Sequence, residues 1–323
     1  MKVKSRAIFK LLDKLLLSSL KKETSIDAIS SDMPHIMVVL HYDKLYQQNP
    51  ILRNVESGSE NQENYGDRNV LSEMSARELE QFISHETVGL LIFGACENHG
   101  DHMPFGSDFI MPFELAKRVA ARYGKKIIIF PPIPYGLSSH HKDFFMTVSF
   151  EPDTMMNVIR DILQSLVNNN IRNILIINGH DGNIAPIELA SRIIKERNPR
   201  VVISCLESWW TLVGSIDKEL FDVWDGLGHG GEAETSAMLA VRPDLVNMTV
   251  APKDVIPKLP DNIRIYWKFN ELTDTGATGA PRKATTTKGN KIISILENVL
   301  LEFILDMEKN RWKYGIGCSG SNT

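Results

Sequence analysis

Four apolar segments rich in β-branched residues alternate with helical patterns in this sequence, and this alternation restricts its fold more than any other feature. The apolar segments are TVGLLIFG (87–94), KIIIFPPI (126–133), NILIING (173–179) and RVVISCL (200–206). The helical patterns between them lie at 110–124, 154–169 and 184–198. Strands that are apolar at every position are usually buried on both faces of a sheet. The pattern therefore predicts an α/β fold: a three-layer sandwich with a mostly parallel β-sheet flanked by helices.

The chain is predicted to contain one domain of this kind, at residues 71–312. A long N-terminal extension (1–70) precedes it, and a flexible tail (313–323) follows it. Ser75 and Glu78 have the spacing of a capping box, which predicts that a short amphipathic helix begins the domain.

The N-terminal extension combines a basic segment with a polar one. Residues 1–22, MKVKSRAIFKLLDKLLLSSLKK, contain seven basic residues and one acidic residue, with leucines at helical spacing. They predict a basic amphipathic helix, which could be a transit-type peptide, a membrane-surface or partner-docking helix, or a solvated helix resting on the domain. Residues 54–68 are nearly free of apolar side chains and predict a polar linker.

Composition excludes some classes of function. With 43% hydrophobic and 24% charged residues the chain is typical of a globular protein, and its net charge of −4 argues against a nucleic-acid partner. No apolar run approaches the roughly 18–20 residues of a membrane span. Three cysteines, Cys96, Cys205 and Cys318, make no disulfide framework. They indicate a reducing compartment, so we predict a cytoplasmic location.

Three glycine-punctuated segments carry most of the chemistry-bearing side chains. They are GACENHGDHMPFGSD (94–108), NGHDGN (178–183) and GHGGEAETS (228–236), and the first two directly follow predicted strands. Loops that leave the carboxyl ends of parallel strands meet at one edge of the sheet. The side chains expected to gather there are Glu97, His99, Asp108, His180, His229, Glu232 and Glu234. None of the three segments contains Lys or Arg, so a divalent cation is the simplest compensating charge. Mixed histidine and carboxylate ligands suit zinc, iron or manganese.

Each of these residues also has a simpler interpretation. Asp108 has the position of an N-cap for a helix that starts at Phe109 or Ile110. His99 could be a hydrogen-bonded structural histidine, and NGHDGN could bind an anion at a helix N-terminus. Glu232 and Glu234 could be first-turn acids that favour the helix dipole. The joint placement of these residues at strand ends favours a metal site.

From about Leu71 to Glu302 the chain resembles the creatininase (creatinine amidohydrolase) family. The resemblance rests on the first two segments, on GHGGEAETSAMLAVRPDLV (228–246) and on TGATGAPRKATTTKGNKI (275–292). It is nearest to a branch with a glycine-type NGHxGN motif, which includes the archaeal-type formylaminopyrimidine nucleotide deformylase. The family's expected partners are a small-molecule amide substrate and further copies of the chain in a homo-oligomer.

The resemblance also implies a set of metal ligands for one or two divalent ions. Glu97 and His180 would hold one ion and His99 the other, with Asp108 bridging them. In creatinine-specific members a glutamate follows the histidine of the second motif by two positions. That position is Gly182 here, so Glu232 is the expected substitute ligand.

Further roles are implied for residues outside this ligand set. Glu234 is an alternate ligand or supports the catalytic group, and His229 matches the histidine that transfers a proton. His140 and His141 are expected to contact substrate, although they could be an exposed pair in a loop. Trp209 and Trp210 are expected near the pocket, or in the core.

These features together predict a metal-dependent amidohydrolase that cleaves a non-peptide C–N amide bond, in a cyclic amide or a formamide, by metal-activated water. The alternatives are the deformylase named above, a two-metal phosphoesterase and a non-enzymatic scaffold. The altered turn FFMT (144–147) and Gly182 argue against creatinine itself as the substrate.

Overall fold

The computed structural model describes residues 69–123, 127–258, 263 and 265–313. The basic helix predicted at residues 1–22, the linker at 54–68 and the tail from residue 314 onward lie outside the described residues. Asn69 and Val70, which the sequence assigned to the extension, lie at the edge of the sheet, where the Asn69 carbonyl accepts a hydrogen bond from the Ile129 amide.

The described residues form a parallel sheet of four strands in the spatial order β2-β1-β3-β4. The strands are β1 (Val88–Phe93), β2 (Ile127–Ile129), β3 (Asn173–Asn178) and β4 (Val202–Leu206). The helices are α1 (Ala76–Phe82), α2 (Ser107–Tyr123), α3 (Pro152–Asn168), α4 (Ile184–Arg197), α5 (Trp209–Ile216), α6 (Glu232–Val241) and α7 (Thr286–Lys309). Helix α1 begins with the predicted capping box, in which Ser75 and Glu78 exchange hydrogen bonds.

Both faces of the sheet are buried, which confirms the predicted three-layer sandwich. Along β1, Leu90 and Ile92 belong to one hydrophobic core and Leu91 and Phe93 to the other. The first core is closed by α2, α5, α6 and α7, and the second by α3 and α4. A central strand with two buried faces needs apolar residues at every position, which is why its sequence shows no alternation. Among the described residues, no helix is long and apolar enough to cross a bilayer.

The start of α2 lies very close to the carboxyl ends of β1 and β3. A Cβ atom added at Gly179 would lie 1.8 Å from the backbone oxygen of Asp108, and one added at Gly94 would lie 2.6 Å from the same oxygen. Both distances are far below a van der Waals contact, so only glycine fits at these two positions. The two glycines therefore let the first turn of α2 sit directly on the edge of the sheet.

We expect Gly179→Ala to destabilise the fold, because the new methyl group would overlap the backbone of Asp108 and push α2 outward. Overpacking of this kind typically costs about 1–3 kcal/mol. Urea unfolding followed by circular dichroism should show a lower midpoint at an unchanged slope. A midpoint equal to that of the wild-type protein would show that α2 does not need this close approach.

Candidate metal centre

Asp108 lies in the first turn of α2, and its carboxylate stands between two histidines. Its Oδ1 atom is 2.8 Å from His99 Nε2, and its Oδ2 atom is 3.2 Å from His180 Nδ1. The helix begins at Ser107, so Asp108 is inside it and does not occupy the N-cap position that its sequence context allowed. A carboxylate that presents one oxygen to each of two imidazoles has the arrangement of a bridging ligand.

His180, which follows β3, is oriented by a backbone carbonyl. Its Nε2 atom donates a hydrogen bond to the Leu137 carbonyl oxygen at 3.0 Å. A carbonyl oxygen can only accept, so Nε2 carries a proton and Nδ1 is the nitrogen turned towards the acids. That Nδ1 atom is 3.1 Å from Glu97 Oε1. Its orientation is that of a metal-ligating histidine held by an outer hydrogen bond.

His99 is held in the same way but through its other nitrogen. Nδ1 donates to the backbone carbonyl of Glu97 at 3.0 Å, which turns Nε2 towards Asp108 and, at 3.9 Å, towards Glu234 Oε2. Burial disfavours a charged His99 ring, but the carboxylates of Asp108, Glu234 and Glu97 together outweigh burial and raise the pKa of His99 to about 10. The site therefore strongly favours positive charge next to Asp108.

The Glu97 carboxylate is fully buried, and neither of its oxygens has a well-formed hydrogen bond within the described part of the chain. Asp108 Oδ2 is in the same situation. The ion pairs that these two acids make among the described residues are all with histidines. Buried carboxylates without donors are costly, and a divalent cation is the group that relieves this cost. The residues present therefore fit a metal ion.

Glu234, in the first turn of α6, completes the side of the site near His99. Its Oε2 atom accepts a hydrogen bond from the Gly230 amide at 2.7 Å, and Oε1 makes none that the structure records. Burial raises the pKa of the Glu234 carboxyl to about 7, and His99 opposes this rise. Glu234 thus belongs to the same cluster of buried side chains as His99 and Asp108.

Glu232 does not take the position that the sequence assigned to it. Its Oε1 atom accepts hydrogen bonds from the Asp222 amide and from Lys288 Nζ, and its Oε2 atom accepts one from the Val223 amide. Because successive helical residues are rotated by about 100°, residues two positions apart point to nearly opposite sides. Glu232 therefore faces α7, where its buried carboxylate pairs with the partly exposed Lys288, so we remove it from the predicted ligand set.

His229 precedes α6 and lies directly over the centre. Its Nε2 atom donates to the Asn98 carbonyl oxygen at 2.7 Å, which leaves Nδ1 facing Glu97 Oε1 at 3.5 Å. Burial and the nearby His99 hold the pKa of His229 well below its usual value. Its ring centroid is 4.1 Å from that of His99. Nδ1 is the one ring nitrogen of His229 that is available to react.

The two neighbouring histidines predicted to touch substrate both lie at the centre. They belong to a 3-10 turn, Ser139–His141, in the connection between β2 and α3. His141 is completely buried, and neither of its ring nitrogens has a partner among the described residues. Its Nδ1 atom is 3.9 Å from Glu97 Oε2. His140 is partly buried and stacks on His180.

The two tryptophans separate into different environments. Trp209 is buried and lines a small cavity together with Asp108 and Glu234. Trp210 is partly buried and packs against the core next to Trp209. Only the first of the two therefore adjoins the centre.

The sequence patterns do not indicate the aromatic cover or the backbone anchors of the histidines. Phe269, in the 3-10 turn Phe269–Glu271, places its ring centroid 3.9 Å from that of His141. No pattern around it indicated such a contact. The carbonyls of Leu137 and Asn98 act through the backbone, which a side-chain pattern does not reveal.

The described residues contain two sets of three ligand atoms that all lie within 4.8 Å of one another. One set comes from Glu97, His99 and His229, and the other from Glu97, His140 and His180. Glu97 belongs to both sets, so its carboxylate lies at the middle of the cluster.

Comparison with known proteins identifies the family of this chain. The family model for creatinine amidohydrolase (creatininase) matches residues 72–304. A creatinine amidohydrolase from Pseudomonas putida is 31% identical over 234 residues, which cover 65% of this chain and 85% of the relative. A mycofactocin precursor peptide peptidase from Mycobacterium ulcerans (strain Agy99) is 24% identical over 235 residues, which cover 70% of this chain and 87% of the relative.

Solved structures of creatininases share the fold. A crystal structure of creatinine amidohydrolase superimposes with a TM-score of 0.66 at 25% identity, covering 74% of this chain and 97% of the other. A structure described as manganese creatininase gives a TM-score of 0.64 at 27% identity, covering 75% and 98%. A mutant creatininase described as Zn-Zn type gives 0.63 at 26% identity, covering 74% and 97%.

The family match includes all four strands and each residue of the centre. The related structures contain manganese or zinc, which are ions that mixed histidine and carboxylate ligands bind. The chain therefore belongs to the creatininase (creatinine amidohydrolase) family and is a metal-dependent hydrolase that acts on C–N bonds other than peptide bonds.

Proposed function

We propose that this protein is an amidohydrolase that cleaves a non-peptide C–N amide bond in a small cyclic amide or a formamide. The observation that carries the proposal is the placement of Asp108 between His99 and His180, each of which is fixed by a backbone carbonyl on its far side. Such a pair of oriented imidazoles on one carboxylate is suited to two adjacent ions. A cytoplasmic location and a homo-oligomeric state remain predictions. Cys96 and Cys205 form no disulfide in the structure.

We assign the ligands from these contacts. Glu97 and His180 would hold one ion, His99 and Glu234 the other, and Asp108 would bridge them. Glu234 replaces Glu232 because it, and not Glu232, turns its carboxylate towards His99. When bound, a divalent ion at such a centre lowers the pKa of water and polarises a substrate carbonyl.

His229 is the residue that would protonate the leaving nitrogen. Its Nε2 proton is committed to the Asn98 carbonyl, so Nδ1 is the atom that takes up a proton and delivers it. The same hydrogen bond holds the ring against His99 and keeps Nδ1 turned inward. Phe269 covers the rings of His141 and His229 and keeps bulk water away from them.

The substrate would lie between these groups and the 3-10 turn that carries His141. Both ring nitrogens of His141 lack partners in the described part of the chain, so they are available to bind a polar substrate group. Trp209 would form an apolar wall beside the carboxylates. In the described residues, the ion pairs of Lys and Arg involve none of Glu97, Asp108 and Glu234, which disfavours a phosphate ester as the substrate.

The substrate class can be tested with a panel of compounds. We expect the protein, loaded with zinc, manganese or iron, to hydrolyse cyclic amides or formamides and to release no phosphate from phosphate esters. Release of formate from a formylaminopyrimidine, without release of creatine from creatinine, would select the deformylase. A short peptide belongs in the panel because one group of relatives consists of peptide peptidases. Release of phosphate alone would refute the amidohydrolase.

Asp108→Ala should abolish metal binding, because both ions would lose their shared ligand. Metal content after purification and dialysis, measured by inductively coupled plasma mass spectrometry, provides the readout. Asp101→Ala is the matched control, since Asp101 is an exposed acid of the same loop. Equal metal content in the Asp108→Ala variant and the wild-type protein would disprove the bridging role.

The two glutamates of α6 should behave in opposite ways. Glu234→Gln should weaken metal binding and leave the stability of the metal-free protein nearly unchanged. Glu232→Gln should keep the metal but lower the free energy of unfolding by about 1.5–3 kcal/mol, because it removes the charge-assisted hydrogen bond between the buried Glu232 carboxylate and the partly exposed Lys288. Metal titration and urea unfolding of both variants separate these effects. Loss of metal in Glu232→Gln together with wild-type stability would restore Glu232 as a ligand.

A further inference from the structure

His140 lies against one side of the metal centre, where its ring covers that of His180. The ring planes differ by 4° and the ring centroids are 5.5 Å apart, so the two imidazoles are stacked. His140 is the middle residue of the 3-10 turn Ser139–His141 and is partly buried. His140 is therefore not part of an exposed loop pair; it lies beside His180, whose ring is held by the Leu137 carbonyl.

The ligand atoms of Glu97, His140 and His180 all lie within 4.8 Å of one another. Atoms bound to one tetrahedral zinc ion at about 2.1 Å are about 3.4 Å apart. The His140 nitrogen is therefore within about 1.5 Å of the spacing at which it could share one ion with the other two ligand atoms.

We propose that His140 is a protein ligand of the ion bound by Glu97 and His180. This inference rests on the metal centre of the proposed function and adds a residue that sequence analysis had assigned to substrate. The ion would then have two imidazole nitrogens and the carboxylates of Glu97 and Asp108. The second ion would have one nitrogen, from His99, and the carboxylates of Asp108 and Glu234.

The two halves of the centre are consequently unequal in chemistry. A shell with two imidazoles suits zinc or iron, whereas a shell dominated by carboxylate oxygen also accepts manganese. The half that contains His140 should therefore bind zinc more tightly than the half that contains His99.

His141, the next residue in the turn, provides an internal comparison. Its ring is packed against Phe269 and His229, with centroid distances of 3.9 and 4.1 Å. It faces the second oxygen of Glu97 and is not part of the set of ligand atoms that includes His140. The two adjacent histidines thus have different roles, one as a ligand and the other as a polar group open to substrate.

The test is a titration of the metal-free protein with zinc in the presence of a chromophoric chelator, which reports each dissociation constant. His140→Phe keeps a flat ring over His180 but removes both nitrogens. We expect the tighter zinc site of this variant to weaken at least about tenfold, with little change at the second site. His85→Phe controls for the loss of a histidine, because the His85 side chain is 91% exposed.

A second readout is the visible absorption of the cobalt-substituted protein, which responds to the number and type of ligands. His140→Phe should change this spectrum, and His85→Phe should not. His140→Gln serves as a second variant, and equal melting temperatures of the metal-free proteins establish that each variant folds.

The outcomes separate the two proposals. If the wild-type protein binds neither zinc nor manganese nor iron, the proposed metal centre itself is wrong. If the wild-type protein binds metal, and the His140 variants show the same zinc affinity and cobalt spectrum, His140 is not a ligand and the proposed function stands. A loss of turnover without a change in zinc affinity would return His140 to the role of a substrate contact.

Discussion

The buried carboxylates of Glu97 and Asp108 meet ring nitrogens of His99 and His180 at the carboxyl edge of the sheet, and the rest of the centre is arranged around these contacts. Burying such acids without positive charge costs several kcal/mol each. Histidines meet this need by themselves only when protonated, whereas a divalent ion meets it while the rings stay neutral and donate lone pairs. The backbone carbonyls behind the rings therefore matter as much as the acids, because they decide which nitrogen faces the ion.

The fold brings these groups together because parallel strands deliver their following loops to one edge. Sequence-distant segments then need a close approach, and Gly94 and Gly179 supply it by letting the backbone of Asp108 rest on the ends of β1 and β3. The start of α6 is held by charge instead of by a close backbone approach, because Glu232 forms an ion pair with Lys288 of α7. Glu234 and His229 therefore lie at or next to a helix end whose position is fixed by the ion pair of Glu232 with Lys288.

The strands, the flanking helices and most of the centre could be predicted from the sequence because each leaves a local pattern. Continuous apolar runs marked the strands, and the spacing of acids and histidines after strand ends marked Glu97, His99, Asp108 and His180. The angle between helical residues i and i+2 predicts that Glu232 and Glu234 do not both face the centre, but it does not indicate which of them does. The pairing of Glu232 with Lys288 and the cover by Phe269 could not be predicted, because no local sequence pattern indicates which side chains these two residues contact.

The lack of a side chain at Gly182 permits the hydrogen bond that orients His180, and it also removes one ligand position that the family resemblance implies. A Cβ atom at this position would lie 2.1 Å from the Leu137 carbonyl oxygen and 2.5 Å from His180 Nε2. The glutamate that the family resemblance implies for creatinine-specific members would therefore disrupt the hydrogen bond that holds His180. A centre built without that glutamate needs its remaining ligands from other elements, and we propose that α6 supplies Glu234 and that the turn Ser139–His141 supplies His140. Because this position lacks the glutamate of creatinine-specific members, we propose a substrate other than creatinine.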